Sequence, residues 1–340
     1  MNKILHLFDE QYVLDLFKKK LLPKYPSFRA IKKIKIIPIK KNIWDYTYHV
    51  VIKFETKFIT KDNKIKQLPI YCSAHSDEPR KNVYSGLKFL WGNSFNKGYL
   101  SIPHPLFYSN YFKATFYRGV AGKNLYKFIR EKNFKEIETI LPKAAAWFYK
   151  LHGLPVAEAK NFNQANSRIK TVIPGKEYIL KKIKNNYPEF YNFYCQAYDI
   201  FIKREESFLA DKKNRWLIHG DAHPENVIKM SKHKLAVIDF TDLCLADYAR
   251  DLGCFLQQLE YMANRKINNP KYTKKIKKIF LENYLENAKI KLDDNLKERI
   301  NNYYNWTAVR TTTFFLFQKP TQPEMARELI DQIKKNLNIN

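Results

Sequence analysis

The stretch His219-Gly220-Asp221-Ala222-His223-Pro224-Glu225-Asn226 decides how this chain is read, together with the run after it: Val227 to Met230, a polar turn Ser231-Lys232-His233-Lys234, then Leu235-Ala236-Val237-Ile238-Asp239-Phe240. Two short apolar, β-branched runs joined by a polar turn have the pattern of a hairpin. In an antiparallel pair the residue entering the first strand lies across from the residue leaving the second. Asn226 and Asp239 are therefore expected at one edge, roughly 5 Å apart at the backbone. An amide and a carboxylate meeting there suit a hard cation such as Mg2+, which takes one or two protein ligands and fills its octahedron with water and phosphate oxygens. Asp221, in the loop before the hairpin, is a carboxylate placed to accept the proton of an attacking hydroxyl. The competing reading makes Asp221 and Asp239 ordinary turn and strand-end carboxylates.

His219, Gly220, Asp221, His223 and Asn226, followed by Ile238-Asp239-Phe240, resemble the catalytic motif of the aminoglycoside phosphotransferase and choline kinase superfamily. The similarity continues on both sides. Asp247 and Asp251, in Leu-Ala-Asp-Tyr-Ala-Arg-Asp-Leu-Gly, resemble the family segment whose second Asp braces the catalytic loop. Upstream, Ala145 to Leu154 is similar to the family helix ending in Leu-His-Gly, and Ile102 to Leu125 to the connecting hinge. Only nine glycines occur in 340 residues, yet Gly119, Gly122, Gly153, Gly220 and Gly253 all fall inside these segments. A retained glycine usually marks a positive φ or a close backbone approach.

The resemblance implies an α+β, two-lobed protein-kinase-like fold, with an antiparallel β-sheet N-lobe over 1–117 and a larger, mostly helical C-lobe over 118–340. It implies ATP and Mg2+ as cofactors and transfer of a phosphoryl group to a hydroxyl of a small molecule. Asp221 is then the base, Asn226 and Asp239 the metal ligands, and His219, His223 and Asp251 the support of the catalytic loop. Tyr117, Gly119 and Val120 fall in the hinge segment, beside the nucleotide. The acceptor is left open: a sugar, an amino alcohol or an aminoglycoside-like molecule. An aminoglycoside would need an acidic pocket, for which Glu260, Glu282, Glu286, Asp293 and Asp294 are too scattered. Choline would need an aromatic cage, and the aromatics between Tyr261 and Phe315 at helical spacing read first as core.

The N-terminal part departs from the family pattern. No glycine precedes Gly86, so the first hairpin, with Lys40, Lys41 and Asn42 at its expected turn, forms no glycine-rich loop over phosphates. The family's third-strand lysine is missing from Pro69-Ile70-Tyr71-Cys72-Ser73-Ala74-His75. Lys53, Arg80 or Lys81 is expected to supply that charge instead, since long cationic side chains reach a phosphate from several backbone positions. An active kinase is the favoured reading. The alternatives are a pseudokinase or nucleotide-sensing interaction protein, and a basic RNA-associated protein.

Composition narrows these choices. The formal net charge is +28, but lysines are spread along the chain and fit solvated faces better than one nucleic-acid-binding stripe. Nucleic acid is therefore a disfavoured partner, and the oligomeric state is left open. No apolar run approaches the roughly 18 to 20 residues of a membrane span, and Met1 to Glu10 meets acids before a secretion signal could form, so a cytoplasmic location without membrane contact is expected. Cys72, Cys195, Cys244 and Cys254 lack paired spacing and read as small apolar residues.

Periodicity predicts a helix over 4–22, strands over 31–39, 46–59, 65–75 and 111–117, and a helix over 81–91. Beyond Gly122 helices are expected near 123–131, 134–152, 176–209, 248–264, 271–288, 293–317 and 323–336, interrupted by the hairpin.

Overall fold

The computed structural model describes residues 2–339 apart from Pro79 and Lys212. The chain divides into two compact units, one formed by Met1–Lys123 with Ile228–Thr241, the other by Asn124–Val227 with Asp242–Asn340.

The first unit is built on three long strands, β1 (Phe28–Ile43), β2 (Tyr48–Thr60) and β3 (Ile65–His75). Strict alternation along β2 buries Tyr48, Val50, Ile52, Phe54, Thr56 and Phe58 on one face, as a period of two requires. Helix α1 (Glu10–Lys20) covers that face: Phe17 meets Phe54 edge to face at 5.2 Å. After β3 come α2 (Lys81–Leu90), a two-residue strand β4 (Leu100–Ser101), β5 (His104–Ser109) and β6 (Ala114–Arg118). The sheet order is β1-β2-β3-β6-β5, antiparallel throughout, and α2 packs against β5 and β6.

The second unit is helical. After β7 (Lys123–Asn124), it contains α3 (Leu125–Arg130), α4 (Phe134–His152), α5 (Lys176–Asn186) and α6 (Tyr191–Leu209). Strand β8 (Trp216–Ile218) comes next, then the hairpin of β9 (Val227–Lys229) and β10 (Leu235–Val237), which returns the chain to the first unit, then β11 (Cys244–Ala246). The chain ends in α7 (Ala249–Ile267), α8 (Pro270–Ala288), α9 (Asp294–Phe317) and α10 (Pro323–Leu337). Side-chain caps fix several starts: Asn133 accepts from Glu136 N–H, Asn269 from Tyr272 N–H and Asp293 from Leu296 N–H, which satisfies donors a helix leaves unpaired. Helices α7 and α9 approach so closely at Gly253 that an added Cβ would meet Ile300 O and Tyr304 N at 2.6 and 2.7 Å. Trp147 and Trp306 are fully buried in this unit. Among the described residues no helix is long and apolar enough to cross a membrane.

Several expectations need correction. The first hairpin turns at Trp44–Thr47, closed by Trp44 N–H on Thr47 O at 2.9 Å, and Lys40, Lys41 and Asn42 lie within β1. As an edge strand β1 tolerates a run of lysines and Pro38 with its neighbouring bulge,. The predicted 4–22 helix is split, because Asp9 caps a new helix by accepting from Tyr12 N–H at 2.7 Å. Pro188 divides the predicted 176–209 helix into α5 and α6,. The predicted 111–117 strand is β6 alone, with a turn before it and β5, the other edge, unforeseen.

Candidate active site

The loop from His219 to Asn226 leaves β8, which pairs antiparallel with β11, Ile218 opposite Cys244. From β11 the chain passes through Asp247 into α7, whose first turn carries Asp251. Its carboxylate accepts from the backbone N–H of His219 at 2.7 Å (Oδ2) and of Gly220 at 2.9 Å (Oδ1). His152, at the end of α4, brings Nε2 to 3.0 Å from the same Oδ2, and its Nδ1 lies 2.8 Å from the Tyr284 hydroxyl. Burial alone would raise the Asp251 carboxyl, but the hydrogen bond and charge of His152, the nearby His219 and the Gly220 N–H together hold it below the usual range,. The ion therefore persists in the core and clamps two successive peptide groups.

Gly220 sits at φ +82° with Asp242 O against the place a Cβ would occupy. Both conditions restrict the position to glycine. Arg250 works from the same side: it is fully buried, donates Nη2 to Gly220 O at 3.3 Å and Nη1 to Asn166 O, and lies over the Trp306 ring at 4.9 Å. Asn166 Nδ2 donates in turn to Asp242.

The Asp221 side chain is 39% exposed. Its N–H donates to His219 Nδ1 at 3.3 Å, and Oδ2 lies 3.4 Å from His223 Nε2. Desolvation raises its pKa, but the hydrogen bond and charge of His223, then the charges of Arg310 and His219, outweigh that and hold the carboxyl well below the usual range. Asp221 is thus ionised at neutral pH. Pro224 begins a short 3-10 turn ending at Asn226, and Glu225 points to solvent. Asn226 is buried; its Nδ2 donates to Asp221 O at 3.0 Å and lies 3.0 Å from His223 Nε2, which leaves the amide oxygen for another partner.

Asp239 follows β10 and belongs to the first unit. It is a non-glycine residue at φ +63°, and its Oδ1 accepts from Thr241 Oγ1 at 2.8 Å and, more weakly, from Thr241 N–H at 3.4 Å. An aspartate held in the left-handed region by its own loop is a strained position of the kind that gathers at functional sites. Among the described residues, no group of three or more His, Cys, Asp or Glu side chains is arranged to hold a metal.

The first unit also holds the nucleotide candidates. Tyr117 on β6 stacks on Tyr71 of β3 at 5.7 Å, and Gly119 N–H donates to Pro69 O at 2.9 Å, with Val120 just beyond β6. Lys53 on β2 pairs with Glu55 at 2.7 Å. Arg80 is buried ahead of α2, with Nη1 3.3 Å from Glu78, whereas Lys81 is exposed.

Sequence reasoning gave no role to His152, Arg250 or Asp242, and did not single out Asn166 or Arg310. His152 and Arg250 stand inside the family-like segments, where buried polar partners for Asp251 and for the loop carbonyls could have been sought. Nothing local announces Asn166 or Arg310, which packing alone brings to the loop. Asp247 is buried against Arg299 at 2.6 Å and accepts from Ala249 N–H at 3.0 Å, a structural station at the start of α7.

Residues 75–271 match the family model described as "Phosphotransferase enzyme family". No curated protein sequence is similar enough to the chain to count as a match. Solved structures of similar fold include the amicoumacin kinase hAmiN in complex with AMP-PNP, Ca2+ and Ami (13% identity, 98% of this chain and 94% of that chain covered, TM-score 0.57). Aminoglycoside phosphotransferase APH(3'')-Id from Streptomyces rimosus is similar at 13% identity, 86% and 98% coverage and TM-score 0.53. Spectinomycin phosphotransferase APH(9)-Ia in complex with ADP and spectinomycin is similar at 15% identity, 96% and 94% coverage and TM-score 0.51.

Proposed function

The chain belongs to the phosphotransferase enzyme family, and we propose that it is an ATP- and Mg2+-dependent kinase that moves the γ-phosphoryl group to a hydroxyl of a small molecule. The observation that carries this reading is the Asp221 carboxylate, ionised and part-exposed on a loop whose peptide groups are fixed from behind by Asp251 and Arg250. Two of the structural relatives hold a nucleotide together with spectinomycin or Ami, which supports a small-molecule acceptor here.

In this reading Asp221 accepts a hydrogen bond from the acceptor hydroxyl and aims its oxygen at the γ-phosphorus. The new O–P bond forms as the bond from that phosphorus to the bridging oxygen breaks, ADP leaves, and the hydroxyl proton passes to Asp221 Oδ. A carboxylate held this far down is a weak base, which suits a loose transition state in which the proton is lost late. Asn226, through its amide oxygen, and Asp239, through its carboxylate, are the residues that would hold the metal. When bound, Mg2+ supplies neutralisation of the charge spread over the phosphoryl oxygens. His219 and His223 hold the loop and the Asp221 carboxylate in place. Tyr117, Gly119 and Val120 contact the nucleotide, and its phosphates draw their cation from Lys53, Arg80 or Lys81.

One observation favours a second reading, a pseudokinase: no lysine lies between Pro69 and His75 of β3, and Lys53 is already paired with Glu55. Calorimetric titration of ATP into the full chain, with and without Mg2+ and repeated on Asp239→Ala, separates the two. Metal-dependent binding that is lost in the variant supports the kinase; absence of ATP binding by the wild type removes it.

A further inference from the structure

Helix α9 carries Trp306 and Arg310 one turn apart, and the buried Trp306 ring is shared by two guanidinium groups, Arg250 at 4.9 Å and Arg310 at 5.1 Å from its centroid. The two arginines are used differently. Arg250 is fully buried and gives hydrogen bonds to the carbonyls of Asn166 and Gly220. Arg310 is half-buried and makes no ion pair or hydrogen bond with any described residue. It stacks on the indole face, and such stacking leaves the in-plane N–H donors unspent.

Arg310 also shares its ring with the arginine that holds the loop before Asp221. Arg250, across the same ring, reaches Gly220 O at 3.3 Å, one residue before Asp221, and the positive charge of Arg310 is felt at Asp221 itself. Several side chains that α7 and α9 turn to each other are neutral: Gln258 donates to Thr311 Oγ1 at 3.1 Å and to Gln257 Oε1 at 2.8 Å, and Cys254 Sγ lies 2.9 Å from Thr307 Oγ1. On α7, Asp251 is committed to the loop and Glu260 to Lys277 and Tyr304.

The geometry points to Arg310 as the anchor for an oxyanion carried by the phosphoryl acceptor, so that the molecule phosphorylated is a hydroxyl compound bearing a carboxylate or phosphate group. This rests on the kinase reading above. A planar guanidinium fork pairs with two oxygens of either group. A polycationic acceptor would meet the fixed charge of Arg310, a repulsion that discriminates against it.

The test uses the full chain with ATP, Mg2+ and pooled hydroxyl compounds sorted into four charge classes: carboxylate-bearing, phosphate-bearing, neutral and amine-bearing. Mass spectrometry reads the gain of one phosphoryl group. Products from the carboxylate or the phosphate pool are expected, and which pool responds identifies the group. Arg310→Gln should lower kcat/KM for that product by roughly ten-fold or more, chiefly through KM, and Arg310→Lys should restore part of it. ATP affinity of both variants, measured by calorimetry, reports on folding. Equal or better phosphorylation of the neutral or amine pool, or an Arg310→Gln variant with unchanged kcat/KM, overturns the inference while leaving the kinase reading intact. Absence of ATP binding by the wild type strikes the kinase reading instead.

Discussion

His152 Nε2 lies 3.0 Å from Asp251 Oδ2, with side chains 3% and 0% exposed, and the same carboxylate holds the peptide N–H groups of His219 and Gly220. A helix end, a helix start and the loop before Asp221 are thus tied through one buried ion.

Asp251→Asn should therefore damage both stability and turnover. The amide retains size but can accept on only one atom, so one of the two loop N–H groups is left without its partner. A buried donor stranded in this way costs about 1–3 kcal/mol. Thermal unfolding should report the loss, and turnover should fall further than ATP affinity, because the loop that aims Asp221 loosens. Wild-type stability and turnover in the variant would mean that the carboxylate does not brace the loop.

Gly220→Ala should lower stability by about 1–3 kcal/mol, through left-handed φ strain and pressure on Asp242 O,. Chemical denaturation measures it. Gly153→Ala, at ordinary contact distance from Tyr149 O, serves as the control and should change much less.

Glu205 on α6 gives a pH dependence. It is 2% exposed; burial pushes its carboxyl up to about 7, against the lowering effects of the Ile169 N–H, Arg250, the Tyr303 hydroxyl and Arg168. Between the unfolded pKa of about 4.3 and 7 the folded chain holds a proton that the unfolded chain has lost. Stability from this group is therefore present at low pH and declines as pH rises through that window, by about 3 kcal/mol in all. Glu205→Gln should flatten the difference in unfolding free energy between pH 5 and pH 7.5. An unchanged slope in the variant would rule out Glu205 as its source.

What could be read from the sequence depends on how local each signal is. Helix α4 begins and ends where expected, because Asn133 caps it and Gly153 succeeds it. The hairpin β9–β10 is equally local, closed by Met230 N–H on Lys234 O, with Ser231 Oγ accepting from His233 and Lys234 N–H. Strand β5 was not foreseen: Pro103 precedes it, and its edge position accommodates Pro105,. The turn of the first hairpin was misplaced because Lys40-Lys41-Asn42 looks like a turn, and only the pairing of Asn42 with His49 shows it to be strand. In the site, Asp221 and its neighbours share one short motif. The Trp306 ring with its two arginines depends on α7 and α9 packing across Gly253, and no periodicity encodes that.

The measurement that tests the central claim most directly is transfer of labelled γ-phosphoryl from ATP to hydroxyl compounds by the wild type and by Asp221→Asn. The account predicts a labelled product with the wild type. In the variant the rate should fall by a factor on the order of 100 or more, while Mg2+-dependent ATP affinity stays within about two-fold. Equal transfer by both proteins would contradict the role given to Asp221.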